Sequence, residues 1–147
     1  MNKKIGLFWL RDDFRVLKNN GLIEATVNHD QVVVFYLYKK LTYKYQEAQK
    51  WWLSKSLIHF RKNLNKLNIN LEIIETDSFK IFFEKLFKKN DFSFYWNKVY
   101  EPDYLKFDEY LLRNFKNKSI SHKICKGNTL NEINEIKKND GTPFKVF

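Results

Sequence analysis

Two clusters of polar side chains stand where this sequence could do chemistry. The first is Arg11, Asp12, Asp13 and Arg15 in the stretch GLFWLRDDFR, directly after an apolar run. Paired carboxylates serve as general acid and base only when both reach one substrate. Asp12 and Asp13 are adjacent, so on an extended segment they point to opposite sides. That makes them a poor acid–base pair. The plainer reading is a strand-to-helix turn held by a cap and a salt bridge to Arg11 or Arg15. The second cluster is YWNKVYEP, residues 95–102, where Asn97, Tyr100 and Glu101 follow another apolar run. Donors and acceptors past the end of a strand suit a ligand. They suit equally a turn held by Asn97, with a glutamate near the positive end of a helix.

Other chemistries lack their residues. There is no G-x-G-x-x-G and no G-x-x-x-x-G-K-[ST], and only four glycines in the chain, too few to spare for a loop that cradles phosphates. Cys125 is the single cysteine; it has no recognisable base beside it, excludes an internal disulfide and fits a reducing, cytoplasmic setting. His29, His59 and His122 are scattered, read as exposed or half-buried, and no Cys/His spacing suggests zinc. A net charge of +10 raises a nucleic-acid reading. Composition tempers it, because only four of the 27 basic residues (Arg11, Arg15, Arg61, Arg113) are arginine, the type favoured for bidentate phosphate contacts.

The elements that must position these clusters follow from periodicity. KIGLFWL (4–10) and QVVVFYLY (31–38) have no polar face, which suits strands of a parallel sheet covered on both sides. NLEIIET (70–76), FSFYWN (92–97) and, least clearly, ISHKICK (120–126) complete five strands. Leu53, Leu57, Phe60, Leu64 and Leu67 recur at helical spacing and predict a long amphipathic helix from about Gln46 to Leu67. At its start one of Trp51 and Trp52 is expected to pack on the sheet, leaving the other for a pocket or an interface. Ser78 suits the N-cap of a second helix carrying Phe79, Phe82, Phe83, Leu86 and Phe87. A third begins at Pro102 with Tyr104, Phe107, Leu111 and Phe115 on its apolar side. A short helix, 20–27, joins the first two strands.

Alternating strands and helices over 147 residues predict one α/β domain, a Rossmann-like, doubly wound five-stranded parallel sheet with helices on both faces. In the order 3-2-1-4-5 the switch point lies between the loops after strands one and four, where ligands of such sheets bind. Leu10, Arg11, Tyr38, Lys39, Asn97, Tyr100 and Glu101 end strands one, two and four and are the candidate pocket rim. No apolar run approaches the roughly 18 residues of a membrane span, so no membrane partner is expected. The basic lead before strand one has no cleavage-like site, so the start is read as strand one and a signal peptide is not expected. The closing stretch, with its NDGTPF turn, reads as a linker.

Four segments, in order, resemble the DNA photolyase and cryptochrome family. FWLRDDFRVLKNNGL (8–22) is similar to the opening W-F-R-x-D-L-R-x-x-D-N-x-x-L, and AQKWWLSKSL (48–57) to a helix segment ending F-L-x-x-S-L. YWNKVYEPDYLKFDEYL (95–111) resembles W-N-x-x-Y-E-P-x-x-x-x-x-D, and GTPFKVF (141–147) resembles G-x-P-[YF]-x-V-F. The resemblance implies an N-terminal antenna domain over 1–130, with 131–147 starting the linker to a C-terminal helical domain. That missing domain would hold FAD, flip a cyclobutane pyrimidine dimer out of damaged DNA and split it by light-driven electron transfer.

By the same resemblance, the present domain would hold a light-harvesting chromophore of folate or flavin/deazaflavin type at the seven rim residues. It would dock on its own FAD domain, work as a monomer and, when isolated, repair nothing. Lys18 replaces the family's aspartate, leaving Asn19 to cap, and Gln49 stands where many members have arginine. Val99 stands where flavin-type antenna binders often have an acid; of Asp103 and Tyr104, near which folate binders use amides and carboxylates, only Asp103 is acidic. A cryptochrome-like photoreceptor, or a stand-alone nucleotide-binding or partner-docking module, remains open on these residues.

Overall fold

A computed structural model describes residues 4–39, 47–89, 91–127, 129 and 136–142. Five strands, β1 (Ile5–Leu10), β2 (Val32–Lys39), β3 (Asn70–Thr76), β4 (Phe92–Asn97) and β5 (His122–Cys125), alternate with four helices. These are α1 (Asn20–Asn28), α2 (Glu47–Asn65), α3 (Phe79–Leu86) and α4 (Pro102–Asn117). All pairings are parallel and the sheet order is β3-β2-β1-β4-β5. The architecture is the expected Rossmann-like α/β fold.

Strand alternation sorts the core into two layers. Phe8 and Leu10 of β1, with Val34 and Tyr36 of β2, face Leu22 and Ala25 of α1 and Leu57, Phe60 and Leu64 of α2. Trp9, Phe35, Leu37, Phe94 and Trp96 face the other way, onto Phe83 of α3 and Leu111 and Phe115 of α4. This second layer is aromatic almost throughout. Phe83 meets Trp9 and Phe94 edge-on at centroid distances of 5.0 and 5.5 Å. Such ring geometry adds about 0.5–1.5 kcal/mol per pair beyond area burial.

Several local expectations are corrected. α2 stops at Asn65, because the chain reverses at Asn68 (φ +57) and the amide of Ile69 bonds back to Leu64. Leu67 therefore turns outward, 54% exposed, and does not extend the buried stripe; Gln46 lies outside the described residues. Neither Trp51 nor Trp52 packs on the sheet. The stripe runs through Leu53, Leu57, Phe60 and Leu64, and each residue away from it rotates the side chain by about 100°. Ser78 occupies the N-cap of α3 with extended backbone, but its hydroxyl caps nothing. Instead the Thr76 hydroxyl donates to the Ser78 carbonyl at 2.9 Å and accepts from its amide at 3.3 Å. Of the expected linker, residues 131–135 and 143–147 lie outside the described part. The rest forms a turn with Gly141 at φ +80, where the Asp140 carboxylate accepts from the amide and hydroxyl of Thr142. Those bonds hold the Asp140 carboxyl below its usual range.

Candidate functional site

β1, β2 and β4 all end at one edge of the sheet, and the chain leaves each of them there. After Leu10 the next side chain, Arg11, turns inward and is only 4% exposed. Its guanidinium grips Asp108 of α4 with two parallel bonds, Nη1 to Oδ2 at 3.1 Å and Nη2 to Oδ1. Trp9 and Tyr104 flank the charge, with ring centroids 4.0 and 4.8 Å from Cζ. Nε is buried without a hydrogen-bond partner among the described residues. Arg11 thus reaches the candidate site, but its charge is already committed to Asp108. Sequence reasoning missed that partner. The signal was present: Asp108 lies four residues after Tyr104 and three before Leu111, on the apolar side of α4, where an unpaired carboxylate would be costly.

Asn97, the last residue of β4, is likewise occupied. Its Oδ1 accepts from the Gly21 amide at 2.8 Å, and its Nδ2 donates to Asn19 Oδ1 at 2.8 Å. Asn19 caps α1 by accepting from the Leu22 amide at 3.1 Å, and donates to the Arg15 carbonyl at 3.0 Å. The two amides stitch the start of α1 to the end of β4. Gly21 permits the approach: a Cβ there would lie 2.6 Å from the Phe8 ring and 2.7 Å from Asn97 Oδ1. The cap is therefore Asn19, not an aspartate of the charged cluster. Asp13 pairs with Arg15, Oδ2 to Nη2 at 2.7 Å, as a salt-bridged turn requires.

Two grooves open along this edge. One, of about 440 Å³, lies between the ends of β1 and β4 and is bordered by Arg11, Asp12, Asn97, Lys98, Tyr100 and Glu101. The other, about 560 Å³, lies beyond β2 against α3 and α4, among Tyr38, Lys39, Phe79, Lys80, Tyr104 and Phe107. Asp12 and Glu101 border both. Six of the seven rim residues thus line one groove or the other. Leu10 does not; at 1% exposure it belongs to the core under α1 and α2. Asp12 makes no hydrogen bond among the described residues. Crowding by its surroundings and the nearby Glu101 carboxylate push its pKa up, against the pull of Arg11.

Glu101 is the N-cap residue of α4 by backbone, yet its side chain makes no capping bond. Tyr100 accepts from the Thr129 hydroxyl at 3.1 Å, and the Lys39 ammonium sits 4.5 Å from the Phe79 ring centroid. Chemically, the second groove offers flat aromatic walls, with the ammonium groups of Lys39 and Lys80 and the carboxylates of Asp12, Glu101 and Asp103 at its rim. Those walls fit a planar conjugated ring. Among the described residues no three His, Cys, Asp or Glu side chains gather to hold a metal. Burial, followed by Glu24, pushes the Cys125 thiol up and away from nucleophilic use.

Comparison with known proteins agrees with this fold. The family model for DNA photolyase matches residues 6–147. The crystal structure of a bacterial class III photolyase from Agrobacterium tumefaciens superposes with a TM-score of 0.84 at 24% identity, covering 98% of this chain and 30% of that one. An archaeal photolyase from Sulfolobus tokodaii, described with two FAD molecules, gives 0.76 at 20% identity over 91% of this chain and 32% of its own. The chain thus spans about a third of the length of these solved structures. Comparison with the curated proteins finds no match.

Proposed function

This chain belongs to the DNA photolyase family, and from that premise we propose that it is the light-harvesting α/β domain of a deoxyribodipyrimidine photolyase. The observation that carries the reading is the pair of grooves meeting at Asp12 and Glu101, at the switch point of the sheet. Phe79, Tyr104 and Phe107 supply surfaces for a flat ring, and Lys39, Lys80, Asp12, Glu101 and Asp103 supply polar groups for its edge. The Arg11–Asp108 pair and the Asn19–Asn97 amides keep α4 and α1 fixed at the groove walls, so the ring meets a preformed surface. When bound, a folate- or flavin-type chromophore would absorb near-ultraviolet or blue light and pass the excitation to the catalytic flavin. FAD is the first ligand to try, because the Sulfolobus relative was described with two FAD molecules and an implied light-harvesting cofactor.

On this reading the catalytic FAD and the contacts that read a pyrimidine dimer belong to a helical domain of a longer protein, entered after the linker at 131–147. The 147-residue chain then binds a chromophore but repairs nothing. Titrating it with FAD, FMN, a deazaflavin and a methenylfolate, followed by ligand fluorescence, should give one saturable site at micromolar concentration. Phe79→Ala should weaken it. Failure of all four ligands would sink the reading. Restoration of thymines in dimer-containing DNA under blue light, with FAD supplied, would overturn the assignment of chemistry to another domain.

A further inference from the structure

The outer face of α2 carries a second surface, remote from the two grooves in the chemistry it offers. Trp51 and Trp52 stand 62% and 68% exposed in the first turns of the helix. Neighbouring large aromatics in the open are unusual on a surface helix and characterise binding sites. The helical repeat aligns Trp51 with Lys55, Ile58 and Lys62, and Trp52 with His59 and Lys66, just past the helix end; all are exposed. The only acid on α2 is Glu47, already paired with Lys50 at 2.8 Å. Among the described residues no carboxylate lies within ion-pair reach of Lys55, Lys62 or Lys66. Lys66 donates to the neutral Asn63 amide oxygen at 3.2 Å, and Lys55 Nζ lies 5.7 Å from the Trp51 ring centroid.

We propose that this face binds single-stranded nucleic acid without regard to sequence or lesion, with phosphates on Lys55, Lys62 and Lys66 and unpaired bases stacked on Trp51 and Trp52. Ammonium groups beside exposed indoles match a strand that alternates anionic phosphates with flat bases. A duplex hides those base faces, so it offers the indoles nothing. A second copy of the chain is the poorer occupant. A two-fold contact through this face would set lysines against lysines with no acid to neutralise them. The proposal does not rest on the chromophore reading, since it uses none of the groove residues.

The test uses the 147-residue chain with fluorescently labelled oligo-dT and oligo-rU. Both should bind, with affinity falling on a log–log salt plot with a slope of about −2, three phosphates at about 0.7 each. Lys55→Glu/Lys62→Glu/Lys66→Glu should weaken binding by about tenfold or more. Lys85→Glu/Lys116→Glu/Lys118→Glu makes the same change of charge on α3 and around the end of α4, and should weaken it far less. Trp51→Ala/Trp52→Ala should cost about tenfold while leaving circular dichroism and Tm intact. Equal losses in the two lysine variants would mean mere net charge and would overturn the proposal. So would unchanged affinity in the tryptophan variant, or equal affinity for heparin or anionic vesicles. Self-association that the tryptophan variant abolishes would assign the face to a second copy instead.

Discussion

Arg11 and Arg15 sit four residues apart in one loop and each holds an aspartate, yet the two pairs are physically unlike. Arg11 and Asp108 are 97 residues apart, with side chains only 2% and 6% exposed. Arg15 and Asp13 are two residues apart, and the arginine side chain is 51% exposed. The first pair has been taken out of water, so each charge depends on the other; in the second the aspartate is mostly covered, at 12% exposure, but the arginine stays in solvent. The contrast teaches that the same residue types in one motif can fasten a helix to a sheet or merely shape a turn. What decides is the dielectric around the charges and not their distance.

The sharpest way to break the contrast is to orphan one buried charge. Asp108→Ala leaves the Arg11 guanidinium buried and alone, and should destabilise the domain by about 3–5 kcal/mol in urea unfolding. Replacing both partners, Arg11→Met with Asp108→Leu, should recover most of that loss, because no uncompensated charge remains. A double variant as unstable as the single would show that the pair itself, and not the orphaned charge, carries the effect. Next in size is the neutral buried network. Asn97→Ala strands the Gly21 amide and one bond of Asn19, and should cost about 1–3 kcal/mol, read as a lower Tm.

The exposed pair should respond least among the contacts. Asp13→Ala should cost at most about 1 kcal/mol, with the difference vanishing at high salt, whereas the Asp108→Ala loss should persist. The smallest effect belongs to Asp12, whose pKa is raised from 3.8 by desolvation and by Glu101. The folded chain therefore keeps that proton to higher pH than the unfolded chain does. Its contribution to stability is fully present below the ordinary carboxyl range and is lost as pH rises through the elevated value. Asp12→Asn should thus stabilise the domain at pH 7 but not in acid, by no more than about 0.5 kcal/mol, given its solvent contact. A gain that is the same at both pH values would mean that ionisation is not the cause.

Much of the frame is legible in the sequence. Apolar runs without a polar face marked β1 and β2, and Pro102 marked the first turn of α4. β5, the weakest pattern, proved a strand of four residues. The rim was legible to the extent that strand ends locate a switch point, which brought Arg11, Tyr38, Lys39, Asn97, Tyr100 and Glu101 to the two grooves. Leu10 failed for a reason internal to strands: side chains alternate, and the last one of β1 falls on the α1–α2 face. Trp51 and Trp52 failed because burial of most of the apolar stripe on α2 does not require its first turn to touch the sheet.

What the sequence alone determined is the succession of elements and, through right-handed crossovers, a small set of strand orders that includes the observed one. These depend on neighbours three or four residues apart and on the handedness of the chain. Which polar groups are spent and which are left for a ligand was decided only by the tertiary structure. Arg11 meets Asp108 and Asn97 meets Asn19 across long stretches of chain. Only packing the helices on the sheet removes the water that would otherwise keep those groups apart.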